Sequence, residues 1–279
     1  MVQHIALMMT CNEADCIEEV MNEHTKYFDK ILVLDGSDDG TEEIIRSYPQ
    51  VKYLIKDRDL IDKLPNHKIE DGARQFLLEK AQEMYGYEGW ITLLHGDEIF
   101  YDNPVQVAEA AEKEKAEKVN WYVMNFFLHT SDMGKDLESI KSIQERVTWY
   151  CPGFLEIRQY RNKKGIYYNL GRGGKVLAEG VSWRIYTKFP VYKHYPFRLV
   201  SQMLKKKKKY DETGTSFSRI YKDIEDAKGC FRNILGDFKV ARKFDGSFHE
   251  FEMKNQGPLW WRWLRSYRYL PVRIGNPFA

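Results

Sequence analysis

The chain has 279 residues, of which 43% are hydrophobic and 30% charged, and a formal net charge of +2. That length can bury a substantial core as one large domain, or as one domain with a subdomain, and the near-neutral balance gives no whole-protein case for nucleic-acid binding. Four cysteines (Cys11, Cys16, Cys151, Cys230) without CxxC spacing fit a reducing compartment and argue against a disulfide scaffold or a zinc site.

The first elements alternate. Residues 4–9 form an apolar run ending in Thr10-Cys11-Asn12-Glu13-Ala14. Ile17, Val20, Met21, His24 and Phe28 then recur at helical spacing. A second run, 30–34, ends in Asp35-Gly36-Ser37-Asp38-Asp39-Gly40-Thr41. Thr41 is expected to cap the next helix, with Glu42 and Glu43 in its first turn and Tyr48-Pro49 ending it. A third run covers 51–55, and Ile69, Ala73, Phe76, Leu77, Ala81 and Met84 mark a third helix. Residues 90–95 form a fourth strand that runs into Gly96-Asp97-Glu98. Two adjacent acids repel, so their place at a strand tip suggests a cation or charged ligand held there.

Further on, Asn103-Pro104 opens a helix, with proline at its first position, and 119–127 reads as a fifth strand. Residues 133–150 are polar and aperiodic, a loop or short helix. Runs at 154–160, 165–168, 182–187 and 191–192 read as β, and 198–210 and 217–235 as helices. Five consecutive lysines at 205–209 cover every face of their helix. A solvated basic face is one reading, and contact with an anionic membrane or phosphorylated acceptor the other. The segment 257–273 mixes Trp, Tyr and Arg as an interfacial segment would, although it could equally pack on the catalytic domain or a second protomer. No signal-peptide pattern and no run of about 18 apolar residues is visible, so a cytoplasmic protein, soluble or peripheral on a membrane, is expected.

Strands alternating with helices imply a Rossmann-like α/β fold: a mostly parallel central sheet flanked by helices, here with a helical, aromatic-rich C-terminal part. In such sheets ligands bind beyond the carboxyl ends of the strands, where all four polar clusters sit, the third being Lys56-Asp57-Arg58-Asp59 after the run 51–55.

Taken together, Thr10-Cys11-Asn12-Glu13-Ala14, Leu34-Asp35-Gly36-Ser37-Asp38-Asp39-Gly40-Thr41, Asp71-Gly72-Ala73-Arg74 and His95-Gly96-Asp97-Glu98 resemble, in order and spacing, a family 2 glycosyltransferase of the A-type fold. The resemblance covers roughly residues 4–130. His194-Tyr195-Pro196-Phe197-Arg198 with Gln202 resembles the segment that closes the active site in one branch of the family. It implies three parts: 1–130 as the nucleotide-sugar half, 131–250 as the acceptor-side half of the same catalytic domain, and 251–279 as an aromatic and basic C-terminal segment.

The resemblance implies an inverting, hexosyltransferase-like enzyme acting on a nucleoside-diphosphate sugar and a glycan or lipid-linked acceptor. Its diphosphate must become a stable leaving group, which a divalent cation and fixed positive charges can assist. Asp97 is the expected metal ligand and His194 the second; the cofactor would be Mn²⁺ or Mg²⁺, with histidine ligation favouring Mn²⁺. Asp35 stands where the family places an acid that hydrogen-bonds the base. Thr10, Cys11 and Asn12 would meet the nucleotide mainly through backbone groups, and Glu13 would favour a helix N-terminus. Arg74 and Arg198 could reach the diphosphate from opposite sides. Where the family commonly has an acid two residues before the metal-binding Asp, this chain has His95, which can bond a ribose hydroxyl but adds no negative charge. The catalytic base implied by the family's spacing is Glu179, with Asp132 and Glu156 as competitors.

Two other classes remain open. A sugar nucleotidyltransferase also gathers acids at strand tips, but usually carries a Gly- and basic-rich loop that Thr10-Cys11-Asn12-Glu13-Ala14 lacks. A catalytically inactive glycan- or partner-binding module is kept in view by His95.

Overall fold

The computed structural model describes residues 2–57, 69–168, 178–182, 184–213, 224–233 and 241–248. Its first half alternates as the periodicity predicts: β1 (His4–Thr10), α1 (Ile17–His24), β2 (Ile31–Asp35), α2 (Thr41–Arg46), β3 (Val51–Lys56), α3 (Ile69–Tyr85), β4 (Trp90–His95). After these come β5 (Glu98–Phe100), α4 (Pro104–Lys113), β6 (Lys118–Phe127), α5 (Ile143–Arg146) and β7 (Trp149–Arg161). The described chain continues with β8 (Tyr167–Tyr168), β9 (Ala178–Glu179), β10 (Val191–Phe197), α6 (Val200–Thr213) and β11 (Arg242–Lys243).

Among the described residues one sheet runs β3-β2-β1-β4-β7-β6-β10-β5, with β11 beside β7; β8 and β9 form a separate ribbon. β1, β2, β3 and β4 are mutually parallel, as are β6 and β10. β7 and β5 run against them. β7 pairs with both β4 and β6, so both halves of the chain share one sheet.

Strands covered on both faces must be apolar at every position, which is why β1, β2 and β4 lack polar alternation. Ile5, Leu7, Leu32, Leu34, Ile91 and Leu93 pack against Ala73, Leu77, Leu78 and Ala81 of α3. On the other face Ala6, Met8, Ile31, Val33 and Leu94 meet Ile17, Val20 and Met21 of α1, with Ala108 and Ala111 of α4 in the same core. Leu77 is fully buried, and cutting it to Ala would cost about 2–5 kcal/mol. The Asn103 side chain caps α4 through the Val105 and Gln106 N–H groups, ahead of Pro104. Gly89 has φ +83, and a Cβ there would lie 2.1 Å from the Gln3 carbonyl oxygen, so the entry to β4 requires glycine.

Several expectations are corrected. Thr41 is the first residue of α2 and not its cap; Asp39 Oδ1 accepts from the Thr41 N–H and Oγ1, and Gly40 takes the left-handed position before the helix. Glu98–Phe100 forms an edge strand, because Asp97-Glu98 continues into β5 beyond the Gly96 turn. The run expected to end at 192 continues to Phe197, so His194-Tyr195-Pro196 lies within β10 and not in a turn; the ladder shifts register between His194 and Phe197, where Pro196 has no N–H to donate. Among the described residues of 182–187 no strand forms, and Ile185 makes an isolated bridge to Lys118. Within the helix expected at 217–235, residues 224–233 hold a 3-10 turn at Lys228–Cys230, where Asp226 accepts from the Gly229 N–H, and Phe231 is extended. Residues 214–223, 234–240 and the aromatic segment 257–273 lie outside the described residues.

Candidate active site

Parallel pairing brings the polar strand ends side by side: Thr10 is in register with Asp35, Asp35 with Lys56, and Met9 with His95. Three polar groups gather there.

The first joins the loops after β1 and β2. The N–H groups of Asn12, Glu13 and Ala14 donate to Ser37 Oγ (2.8 Å), Thr41 Oγ1 (2.9 Å) and Asp39 Oδ2 (3.2 Å). The Asp38 N–H returns to Asn12 Oδ1 at 2.8 Å, and Asn12 holds φ +60 to make both contacts. The Asn12 N–H therefore has its partner within the protein, and this lock holds the loop after β1 in place. Ser37 in turn donates through Oγ to Asp35 Oδ1 at 2.5 Å. Asp35 is fully buried, and its Oδ2 has no hydrogen-bond partner. Burial raises its pKa against the opposing bonds from Ser37.

The second group surrounds Asp97, just past the Gly96 turn. Gly96 is needed there because a Cβ would sit 2.5 Å from Thr10 Oγ1 and 2.9 Å from Glu13 Cγ. Asp97 Oδ2 lies 3.7 Å from His194 Nε2, 3.7 Å from Arg198 Nη1 and 4.0 Å from Lys206 Nζ. Arg198, fully buried, pairs with Glu13 and with Asp15 (2.8 Å) and also donates to the Tyr195 carbonyl. Lys206 reaches Glu13 at 3.8 Å, and Arg146 reaches Asp15 at 3.6 Å. Burial pushes Asp97 upward, but the charges around it, His194 whenever its ring is protonated and the permanent cations Lys206 and Arg198, outweigh it and hold the carboxylate ionised, far below its usual range. Burial raises Glu13 to about 7 despite Arg198 and Lys206, with Asp97 and Asp15 adding repulsion.

His194 Nδ1 is 2.9 Å from the Asn125 side-chain oxygen. That bond places the ring proton on Nδ1 and leaves the Nε2 lone pair toward Asp97. Burial keeps the ring neutral, opposed by Asp97. A neutral imidazole lone pair beside an ionised carboxylate is a donor set that fits a divalent cation. Glu13, Asp15 and Cys16 also bring ligand atoms within 4.8 Å of one another, but Arg198 already occupies the two carboxylates.

The third group is Glu98, Arg158, Glu156 and Tyr192. Arg158 Nη2 lies 2.6 Å from Glu98 and 2.5 Å from Glu156, and the Tyr192 hydroxyl donates to Glu156 at 3.0 Å. One guanidinium cannot neutralise two buried acids equally. Burial raises Glu98 to about 8, with Asp97 and Glu156 adding repulsion, whereas Arg158, Arg74 and the Tyr192 hydroxyl hold Glu156 down. Arg74, on α3, approaches His95 Nε2 at 3.5 Å, and burial with Arg158 and Arg74 keeps His95 neutral.

Of the residues singled out in the sequence, Thr10, Glu13, Asp35, Arg74, His95, Asp97, His194 and Arg198 lie in or beside these groups. The Cys11 thiol lies 3.5 Å from the Gly36 carbonyl oxygen. Glu179 lies on the β8–β9 ribbon, where the Tyr167 hydroxyl donates to it at 2.6 Å; that ribbon meets α3 through the Tyr168 N–H and Gln75. Asp132 pairs with Lys135 at 2.6 Å. Sequence reasoning missed Asp15, Asn125, Arg146, Arg158 and Lys206. Only Lys206 had a signal, the lysine run, and its inward direction is set by how α6 docks.

A family model described as glycosyl transferase family 2 matches residues 6–169. No curated protein matches the chain. Among solved structures, a protein assigned as a glucose-1-phosphate thymidylyltransferase from Bacillus anthracis, in complex with a sucrose, is similar at 12% identity and TM-score 0.28, over 46% of this chain and 57% of that one. A mannose-1-phosphate geranyltransferase from Thermus thermophilus is similar at 13% identity and TM-score 0.28, over 78% of this chain and 67% of that one. This chain therefore spans little more than half the length of the first. Likeness at that level carries no argument about function.

Proposed function

The chain belongs to glycosyl transferase family 2, and from that premise we propose that it moves a hexose from a nucleoside-diphosphate donor to a glycan or lipid-linked acceptor, with inversion. The observation that carries the reading is Asp97, held ionised beside the Nε2 lone pair of His194 at the carboxyl edge of the sheet.

In this reading Asp97 and His194 hold a divalent cation, Mn²⁺ or Mg²⁺, which would draw charge from the leaving diphosphate. The orphan Oδ2 of Asp35 accepts an N–H of the base, an otherwise unmet acceptor that a ligand would satisfy. Thr10, Cys11 and Asn12 meet the nucleotide mainly through backbone groups, and Glu13 favours the N-terminus of the helix that follows. Arg198 fixes Glu13 and Asp15 and adds positive field at the leaving group, while Arg74 and His95 lie on the ribose and diphosphate side. Glu179 is the proposed base for the acceptor hydroxyl. Asp132 and Glu156, the latter in the field acting on His194, are its competitors, and comparing turnover of Glu179→Gln, Asp132→Asn and Glu156→Gln decides among them.

Residues 1–130 then form the nucleotide-sugar half and 131–250 the acceptor-side half, which also returns His194 and Arg198 to the donor site, and 251–279 supply an interfacial segment. Among the described residues no helix is long and apolar enough to cross a membrane. A cytoplasmic site of action, with peripheral membrane contact through 251–279, completes the proposal.

The test is a thermal-shift screen of nucleoside diphosphates with and without Mn²⁺, followed by hydrolysis of the matching sugar nucleotide. A ligand at 100 times its dissociation constant adds about 2.7 kcal/mol. Stabilisation by one nucleoside diphosphate and its loss in Asp97→Ala support the reading; no response to any of them, with or without metal, removes it. A sugar nucleotidyltransferase would instead require a nucleoside triphosphate.

A further inference from the structure

The lysine run at 205–209 does not face solvent alone. Lys205 lies 3.8 Å from Asp38 with its side chain largely exposed, and Lys207 pairs with Asp211 along the helix. Lys206 turns inward: its side chain is 23% exposed and its ammonium lies between Glu13 (3.8 Å) and Asp97 (4.0 Å).

The charge balance around it is informative. Glu13, Asp15 and Asp97 face Arg198, Arg146 and Lys206, so the three acids are already matched by three cations. A divalent ion entering that set alone would add charge to a balanced cluster. A diphosphate brings its own negative charge and changes the balance. Of the three cations, Arg198 and Arg146 have side chains 0% and 3% exposed, whereas Lys206 sits on a flexible stem at 23%. Its distances to both acids are also longer than a direct hydrogen bond. It is the cation able to change partners.

Building on the proposed function, we propose that Lys206 is a diphosphate-binding residue: its ammonium, stationed between Glu13 and Asp97, pairs with phosphate oxygens of the donor and so releases Asp97 to the metal. Metal and diphosphate binding are then coupled through one side chain. The metal alone binds weakly, because Asp97 is shared, and the diphosphate binds measurably without metal, because Lys206 and Arg198 supply positive charge. Lys206 makes and breaks no covalent bond; it positions and neutralises.

The probe is inorganic pyrophosphate, which carries the shared chemistry without a base, titrated by calorimetry into wild type, Lys206→Met, Lys206→Arg and Lys205→Ala, with and without Mn²⁺. Lys206→Met keeps the packed stem, and thermal melting of each variant confirms that it is folded. The expected result is about a tenfold or greater loss of metal-free pyrophosphate affinity in Lys206→Met, tighter binding of Mn²⁺ alone, and recovery to within a few-fold in Lys206→Arg. Lys205→Ala should match wild type. A folded Lys206→Met that binds pyrophosphate as wild type does, with the same metal dependence, overturns the assignment and leaves the glycosyltransferase reading standing. A wild-type protein that binds neither pyrophosphate nor any nucleoside diphosphate overturns that reading, and the assignment with it.

Discussion

His194 Nδ1 lies 2.9 Å from Asn125 Oδ1, and this one bond decides which imidazole nitrogen faces Asp97. Asn125 is on β6 and His194 on β10, opposite each other in the parallel ladder, so the sheet itself sets the tautomer. Partners of this kind typically tune metal affinity 10–100-fold. Asn125→Ala should lower Mn²⁺ affinity by about that factor in the presence of a nucleoside diphosphate, with far less effect on nucleotide binding alone. Wild-type Mn²⁺ affinity in the variant would show that Asn125 does not orient the ring.

Gly153 gives a second handle on the same bond from β7. A Cβ at Gly153 would stand 2.5 Å from Asn125 Nδ2 and 2.3 Å from Val123 Cγ1, both in a packed interior. Gly153→Ala must push the Asn125 amide or the β6 backbone. The expected cost is about 1–3 kcal/mol of stability, with a metal-binding defect of the same kind as Asn125→Ala. Chemical denaturation paired with Mn²⁺ titration checks both parts. A stability loss with metal affinity intact would place the strain at Val123 alone.

Asp35 tests the nucleotide side. Its Oδ1 is occupied by Ser37, while Oδ2 is buried without a partner. Asp35→Ala should weaken nucleoside-diphosphate binding by about 1.5–3 kcal/mol, the worth of a charge-assisted hydrogen bond. Pyrophosphate affinity should stay near wild type, since pyrophosphate carries no base. Equal loss for both ligands would mean that the variant disturbs the Asn12–Ser37 loop lock and not the base contact.

The fold of the donor half was legible because its signal is local. β1, β2 and β4 are near-continuous apolar runs, each ending in polar residues, and Asn103-Pro104 carries its own cap. The edge strand at Glu98–Phe100 was not legible, because three residues have no period and β10 supplies their partner from more than ninety positions away. The same limit governs the site. Asp97 and His194 belong to recognisable motifs, whereas Asp15 and Arg198 meet across 183 positions. The sequence offered Arg198 only as a contact to the diphosphate, because nothing around it in the chain shows that three acids converge on its guanidinium. The lysine run was visible at once, but which lysine turns inward depends on how α6 docks.

His24 makes stability depend on pH. It is buried, its Nε2 lies 2.8 Å from the Glu98 carbonyl oxygen, and burial lowers its pKa to about 4 from an ordinary 6.5. Above pH 6.5 the ring is neutral in both folded and unfolded chains, so it contributes no slope. Between 6.5 and 4 the unfolded chain takes up a proton that the native state refuses, so stability falls as pH falls, by on the order of 3 kcal/mol from this group. His24→Phe should flatten that part of the pH–stability curve whatever it does to absolute stability. An unchanged slope between pH 6.5 and 4 would assign the acid sensitivity to other groups.

Arg198 is the residue whose loss is easiest to misread. Its guanidinium serves Glu13, Asp15 and the Tyr195 carbonyl and lies 3.7 Å from Asp97, with no exposed surface. Arg198→Met strands buried carboxylates, so a cost of about 3–5 kcal/mol is expected before any effect on catalysis. Turnover measured on that variant alone would therefore mix unfolding with loss of field at the leaving group. Glu13 separates the two. Without Arg198 its pKa, already about 7, rises further, and a raised carboxylate contributes stability that is lost as pH climbs through the folded value. Arg198→Met should thus be closer to wild type at pH 6 than at pH 8. Adding Glu13→Gln should recover part of the deficit and weaken its pH dependence. If the double variant is as stable as wild type yet turns over far more slowly, Arg198 acts on the diphosphate; if turnover returns with stability, its part is to hold the loop after β1 in place. A single-variant deficit that is identical at both pH values would sink the account of Glu13 as the stranded acid.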